Sequence, residues 1–496
     1  MDERQRLILG SVIIPGLLLV AAWRWLRVSE IPTINAYRGD FTLKRAHAQY
    51  LQNAKGLIAE GIAKFNGPFR VVTTLGSRVI LPSSFTEWVR TCDDLDHPKL
   101  VADEYFAYYP GFEGNKVVVD PSRMMINVTK TKLAQSSQCE LFNETISEML
   151  EEEWADAKDW KTVKWGEDAP RFVGRMSAAV FVGPQLARDP EWQKLTLTYT
   201  LNLFNSIRAL RGWPWLLRPI VHWFLSECRT CRDQVKVARN ILTSVLEKRA
   251  RDKKEALDAG RTPVVHQDTI TWMQEQAKGR PFDPAATQLA FAISAMHTTS
   301  ELLRQVLLDI CMHPELIQPL KDEIATAVEE SGWTTAGVFK MQLLDSVIKE
   351  TQRLKPGSLV NLERKALRDI RMPNGMLLPK GTNIAVDTSE MWNPSTYENP
   401  EKYDGYRFFN MRQKGGPTAS TAQLVSATSD HIAFGLGKPV CPGRFFVAHE
   451  VKVALANILT KYDVRLPKGR SPKVIHYGFE MLSDPTAEIE VRKQKS

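Results

Sequence analysis

Apolar residues recur at three- and four-residue intervals along most of the chain. That period predicts helices over 41–66, 143–158, 197–210, 232–258, 284–312, 314–330, 340–354 and 443–461. The segment DPAATQLAFAISAMHTTSELLRQVLLDICMHP has Asp283 as its N-cap and Pro284 at the first helical position, and Pro314 ends it. Its middle is apolar on nearly all faces, the pattern of a helix buried in the core of a large protein. Strand signals are short: FRVVTTL at 69–75, RVILP at 78–82, and a cluster from 363 to 388. Within that cluster Asn374-Gly375 predicts a hairpin turn and Pro379-Lys380-Gly381 a second turn. The polar stretch 411–429 reads as a surface loop. The fold class is mainly α with minor β, with no internal repeat and no low-complexity linker to mark a second body.

Residues Leu7 to Trp23 carry no charge and are flanked by Arg4, Arg6, Arg24 and Arg27. As a helix they span about 26 Å, the short end for a bilayer crossing. A cleaved secretory signal is the competing reading, with Ala21 and Ala22 as its small residues. A single N-terminal membrane anchor is favoured, because nothing downstream resembles a disulfide-bonded secreted protein. The expected organisation is an anchor and flank over 1–30 and one body over 31–496. The cysteines at 92, 139, 228, 231, 311 and 441 follow no disulfide or zinc spacing beyond the lone Cys228-x-x-Cys231, and read as reduced thiols. Lysine and arginine number 65 against 57 acidic residues, a net charge of +8. No arginine-rich tract interleaved with aromatics accompanies it, so no nucleic-acid partner is expected; an acidic protein or an anionic membrane fits equally well.

The sharpest chemical feature is FGLGKPVCPGR, Phe434 to Arg444, followed at once by the helical run FFVAHEVKVALANILTKY. Cys441 stands just ahead of a helix, where unpaired N–H groups and positive potential favour a thiolate. Gly435, Gly437 and Gly443 suit tight turns or close approach to a flat ligand, and Phe434 can pack beside the sulfur. A buried cysteine in a glycine-rich turn is the plainer alternative.

These residues resemble the haem-binding loop of the cytochrome P-450 family, F-x-x-G-x-(basic)-x-C-x-G, at Phe434, Gly437, Cys441 and Gly443; Gly435 and Arg444 also look like the family. Pro439 replaces the family's basic residue, which leaves Lys438 as the substitute partner for a haem propionate. Glu350 and Arg353 in KETQRLKP lie at i, i+3 on one helical face. Three other E-x-x-R pairs exist, at 3, 87 and 301, so position between the long helix and the cysteine singles this one out. With Arg407 in NPEKYDGYRFF, the pair resembles the family's buried structural charge network. SAMHTT, Ser294 to Thr299, resembles the family's oxygen-activation segment, with Thr298 on its key threonine and His297 in place of the usual acid. A hydroxyl at 298 can bond the i−4 carbonyl, and a core threonine would do the same.

The resemblance implies a haem-thiolate monooxygenase similar to fungal enzymes of terpenoid and meroterpenoid secondary metabolism. It implies haem b with Cys441 as axial ligand, Phe434, Gly435, Gly437, Lys438, Gly443 and Arg444 around the cofactor, and Thr298 and His297 in proton delivery. Electrons would come from NADPH through a cytochrome reductase. The anchor would insert in the endoplasmic reticulum, leaving the catalytic body cytosolic. Phe291, Ala295, Val360 and Leu362, with the turn Phe479 to Leu482, are the substrate contacts it implies, and their apolar character suits a lipophilic small molecule. Two alternatives stay open: a non-oxygenating haem-thiolate isomerase or dehydratase, and a haem-binding protein without turnover.

Overall fold

The computed structural model describes residues 30–494, so the candidate anchor lies outside the described residues. Among those described, no helix is long and apolar enough to cross a membrane. The central helix runs Pro284–Met312, with the Asp283 carboxylate capping Ala286 N at 3.1 Å as its sequence predicts. Helix Trp165–Val182 crosses it, and Arg444–Lys461, Gln342–Leu354, Pro190–Arg211 and Ser226–Asp258 pack around it. Gly114 and Gly174 permit the closest approaches. A Cβ at Gly114 would lie 2.6 Å from Ile293 Cδ1, and one at Gly174 would lie 2.9 Å from Met296 Cε.

Sequence periodicity missed Trp165–Val182, and the physical reason is burial. Its side chains are buried on nearly every face, and Pro170 interrupts the run, so no polar stripe marks it. Helices Met124–Lys132 and Thr269–Ala277 were also not expected. The stretch 411–429 differs too. It contains the short helix Gly416–Thr421 and follows the last turn of Arg407–Gln413, while Ala422 and Leu424 are buried. Lys349 holds this stretch from below, donating through Nζ to the carbonyls of Thr421 and Gln423, both at 2.8 Å. A surface-loop reading could not include that buried donor, which lies on a distant helix.

The strands are β1 Phe69–Thr73, β2 Gly76–Leu81, β3 Leu95–Asp96, β4 Lys161–Val163, β5 Val360–Ala366, β6 Ile370–Arg371, β7 Leu377–Leu378, β8 Asn383–Asp387, β9 Tyr462–Arg465, β10 Val474–Tyr477, β11 Glu480–Ser483 and β12 Ile489–Lys493. The largest sheet has the order β1-β2-β8-β5-β3, in which only β2 and β8 run parallel. Asn374-Gly375 turns the β6–β7 hairpin as expected, with Gly375 at φ +85°. The β5–β8 register shifts between Asn361 and Arg364, and Leu362 inside that bulge has φ +51°. The bulge brings β5 alongside the loop that carries Cys441.

Candidate functional site

The cysteine loop is a tight reversal. Gly435 N donates to Ile432 O at 2.8 Å, Val440 N to Gly437 O at 3.1 Å, and Cys441 N to Phe434 O at 2.8 Å. Gly435 and Gly437 adopt φ of +73° and +79°, which disfavours a side chain at either position. At Gly437 a second constraint applies: a Cβ would lie 2.9 Å from Arg90 Cγ. Gly443 caps the following helix, and a Cβ there would stand 4.0 Å from the Cys441 sulfur. The backbone N–H groups of Gly443 and Arg444 and the Arg444 charge act on the sulfur in the expected direction, yet burial outweighs them and pushes the Cys441 thiol up. The helix N-terminus therefore favours the thiolate only in part.

The other loop residues take different places. Phe434 is half-buried against the main core. Arg444 turns back on the loop itself, donating through Nε to Val425 O at 3.1 Å and through Nη1 to Cys441 O at 3.0 Å. Lys438 points outward and pairs with Asp93, its side chain 81% exposed. It is therefore not the inward cation that the departure at Pro439 requires.

On helix Gln342–Leu354, Glu350 and Arg353 are both 0% exposed and form a bidentate pair at 2.8 Å through Nε and Nη2. Arg353 Nη1 donates to Met391 O at 2.7 Å. Arg407 Nε reaches both Glu350 oxygens at 3.1 Å, and its Nη1 donates to Glu398 O at 2.7 Å. Asp404 N fills a further acceptor site on Glu350 at 3.1 Å. The three residues that sequence position singled out are thus brought together. The competing pair Glu301–Arg304 lies elsewhere, bound to Ser483 of β11.

On the central helix the middle opens. Residues 285–292 and 303–310 are buried, whereas Ser294 and Thr298 are exposed, and Ala295, His297 and Leu302 are half-buried. Ser294 and Thr298 lie one turn apart, so they mark one face. Thr298 Oγ1 donates to Ser294 O at 3.4 Å, a long bond that leaves the hydroxyl free to take another partner. Burial pushes His297 below the ordinary imidazole range against the pull of the Glu301 carboxylate, so the neutral ring is favoured. Of the four candidate substrate contacts, Ala295 and Phe291 lie on this helix beside or below that face, and Val360 and Leu362 lie on β5. Phe291 packs on Phe181 with ring centroids 5.0 Å apart, and Val360 and Leu362 are buried in the clusters around the sheet.

One buried cation tests whether a haem fits these residues. Arg364 is buried on β5 and has no carboxylate at ion-pair distance among the described residues. Its contacts are the carbonyls of Glu363 at 2.7 Å and of Leu436, on the cysteine loop, at 3.4 Å. Burial pulls its pKa down to about 10 against the Glu363 and Asp96 charges, the state of a cation short of an anion that a haem propionate would supply. Sequence reasoning missed Arg364, although a signal was present: Val360, Leu362, Arg364 and Ala366 share the buried face of β5, so an arginine stands in an inward apolar row. Cys228 and Cys231 lie buried on one helix and remain free thiols, Cys231 beside Ser206 Oγ at 3.2 Å.

A family model for cytochrome P450 matches residues 120–491. The chain is 37% identical over 494 residues to the cytochrome P450 monooxygenase adrA of Penicillium rubens, covering 98% of this chain and 96% of that one. It is 38% identical to the cytochrome P450 monooxygenase ptmU of Penicillium ochrochloron, over 94% of this chain and 92% of the relative. Its identity to the dihydro-ML-236C monooxygenase mlcC of Penicillium citrinum is 35%, over 97% and 94% of the two chains. The family model over residues 120–491, together with full-length similarity to fungal monooxygenases, establishes that the chain belongs to the cytochrome P450 family, the haem-dependent monooxygenases.

Proposed function

We propose that the chain hydroxylates, or oxidises in several steps, a lipophilic terpenoid or meroterpenoid intermediate of fungal secondary metabolism. It would use O2 and electrons delivered from NADPH by a cytochrome reductase. The observation that carries this reading is the accessible face at Ser294 and Thr298 in the middle of an otherwise buried helix. When bound, haem supplies oxygen activation and insertion into an unactivated C–H bond, helped by electron donation from the thiolate. The chain's residues do the rest. Cys441 holds the iron, Arg364 neutralises a propionate, Thr298 orders a proton-donating water, and neutral His297 passes protons toward it. The similarity to fungal monooxygenases supports the oxidation chemistry, and the half-buried apolar positions Ala295 and Leu302 suit a lipophilic substrate.

The same reading puts the protein on the endoplasmic reticulum membrane, held by the apolar segment Leu7 to Trp23 with the catalytic body cytosolic. One surface supports it: Trp213, Trp215, Leu216, Ile220, Trp223 and Phe224 are all exposed within a single connection between helices. Tryptophans beside arginines suit the bilayer interface. The net charge of +8 suits an acidic reductase face.

The test is a reduced-plus-CO difference spectrum of wild type and Cys441→Ala. The wild type is expected to give the thiolate band at about 450 nm and the variant to lose it. A wild-type band only at about 420 nm from folded protein would overturn the ligand assignment. Substrate turnover without O2 or reductase would instead favour isomerase or dehydratase chemistry.

A further inference from the structure

The bulge in β5 sets one side-chain amide between the sheet and the cysteine loop. Asn361 Nδ2 donates to Ile432 O at 2.8 Å and to Ala433 O at 3.3 Å, the two residues that lead into Phe434. Its Oδ1 accepts from Leu362 N at 2.7 Å. Leu362 has φ +51°, a backbone that a bulky residue adopts only where its surroundings hold it. The amide cannot be turned round. The two carbonyls require its NH2, and the Leu362 N–H requires its oxygen.

The carbonyls it holds control the loop. Ile432 O also accepts from Gly435 N at 2.8 Å, closing the first turn. One residue beyond Ala433, Phe434 O accepts from Cys441 N at 2.8 Å, fixing the ligand's own backbone. A Cβ at Gly435 would stand 3.9 Å from Asn361 Oδ1, so the amide lies beside that turn. A displacement of residues 432–433 would pass directly through Phe434 to Cys441.

We propose that Asn361 is a positioning residue that sets where the Cys441 sulfur stands. By holding Ile432 and Ala433 to the sheet, it keeps the Phe434–Cys441 hydrogen bond in place. The N–H groups of Gly443 and Arg444 then remain aimed at the sulfur. Groups that orient a ligand in this way are worth 10–100-fold in other metal sites. The inference rests on the reading of Cys441 as the axial ligand.

Asn361→Asp separates the two halves of the amide. It keeps the shape and the acceptor for Leu362 N–H, but it removes both donors and sets a carboxylate against two carbonyl oxygens. Asn361→Ser keeps one short donor. The measurement is made on the full-length haem-loaded protein, as the reduced-plus-CO band per haem, with total haem read as the pyridine haemochromogen. The fraction absorbing at about 450 nm is expected to fall roughly tenfold in Asn361→Asp and less in Asn361→Ser, with the balance moving to about 420 nm. A role in holding the sheet alone would lower haem content or Tm while leaving the band of the remaining haem unchanged, and that result would overturn the proposal. So would a wild-type band in Asn361→Ser beside an Asn361→Asp that retains no haem. A wild type that itself lacks the thiolate band would overturn the ligand reading instead, which separates the two failures.

Discussion

Two helices of the core, Gln342–Leu354 and Pro284–Met312, are built on opposite principles. On the side of helix Gln342–Leu354, charge is buried and the Glu350 carboxylate is met by Arg353, Arg407 and Asp404 N. On the central-helix side, Ser294 and Thr298 stand open and the one bond Thr298 makes is 3.4 Å long. A fully satisfied buried network has one arrangement, because loss of any member leaves an uncompensated charge. A hydroxyl with a weak partner can exchange it for a water or a ligand. The closed side therefore keeps one arrangement whatever binds, and the open side is left to respond.

Removing the centre of the closed side should break this arrangement most severely. Glu350→Ala would leave the Arg353 and Arg407 guanidinium groups facing each other across a vacancy in the core. The expected loss is about 3–5 kcal/mol, enough to abolish a folded haem-loaded protein. Soluble yield and Tm of the variant would check it. A variant with near-native Tm would mean that the network is not what holds the closed side rigid.

The open side should respond in function and not in folding. Thr298→Ala removes a hydroxyl that stabilises nothing beyond a marginal helix bond, so Tm and haem content should stay near wild type. NADPH consumption should continue while product falls and peroxide rises, with coupling down by roughly tenfold, the equivalent of about 1.4 kcal/mol. Parallel measurement of NADPH, peroxide and product gives the result directly. Unchanged coupling would remove Thr298 from the proton path and weaken the contrast between the two sides.

How legible each side was in the sequence follows from the same difference. The central helix was predicted to its exact ends, because Asp283-Pro284 and Pro314 are local signals that need no tertiary partner. Cys441 and its glycines are contiguous, so their turn chemistry could be read directly. Glu350 and Arg353 were recognisable only by position, since the Glu301–Arg304 pair has the same spacing and a different place. Arg364 and Asn361 went unread because their significance depends on a bulge that pairs β5 with a loop about 70 residues away. Lys438 was the natural substitute for the missing basic residue by proximity in sequence, yet its side chain leaves the loop for Asp93. Helix Trp165–Val182 escaped because complete burial erases the polar stripe by which a helix is read.

One buried carboxyl on another helix lacks the satisfaction that Glu350 has, and it gives the sharpest test. Glu450 is 0% exposed on the helix that follows Cys441. Ser177 Oγ donates to its Oε1 at 2.7 Å, and its Oε2 has no protein partner among the described residues. Burial pushes its pKa up to about 8, against the Ser177 bond. Below pH about 4.5 the folded and unfolded chains both hold this proton, so the group contributes no pH dependence there. Between about 4.5 and 8 the unfolded chain releases the proton while the folded one keeps it, so this group makes stability fall as pH rises through that window. Glu450→Gln keeps the acceptor for Ser177 and cannot ionise. It should match wild type near pH 4 and exceed it by on the order of 1 kcal/mol near pH 5.5 and by more toward pH 8, read as a Tm difference that grows with pH. A difference that is constant across the range would mean that the carboxyl titrates alike in both states, and Glu450 would then belong with the fully satisfied groups around Glu350.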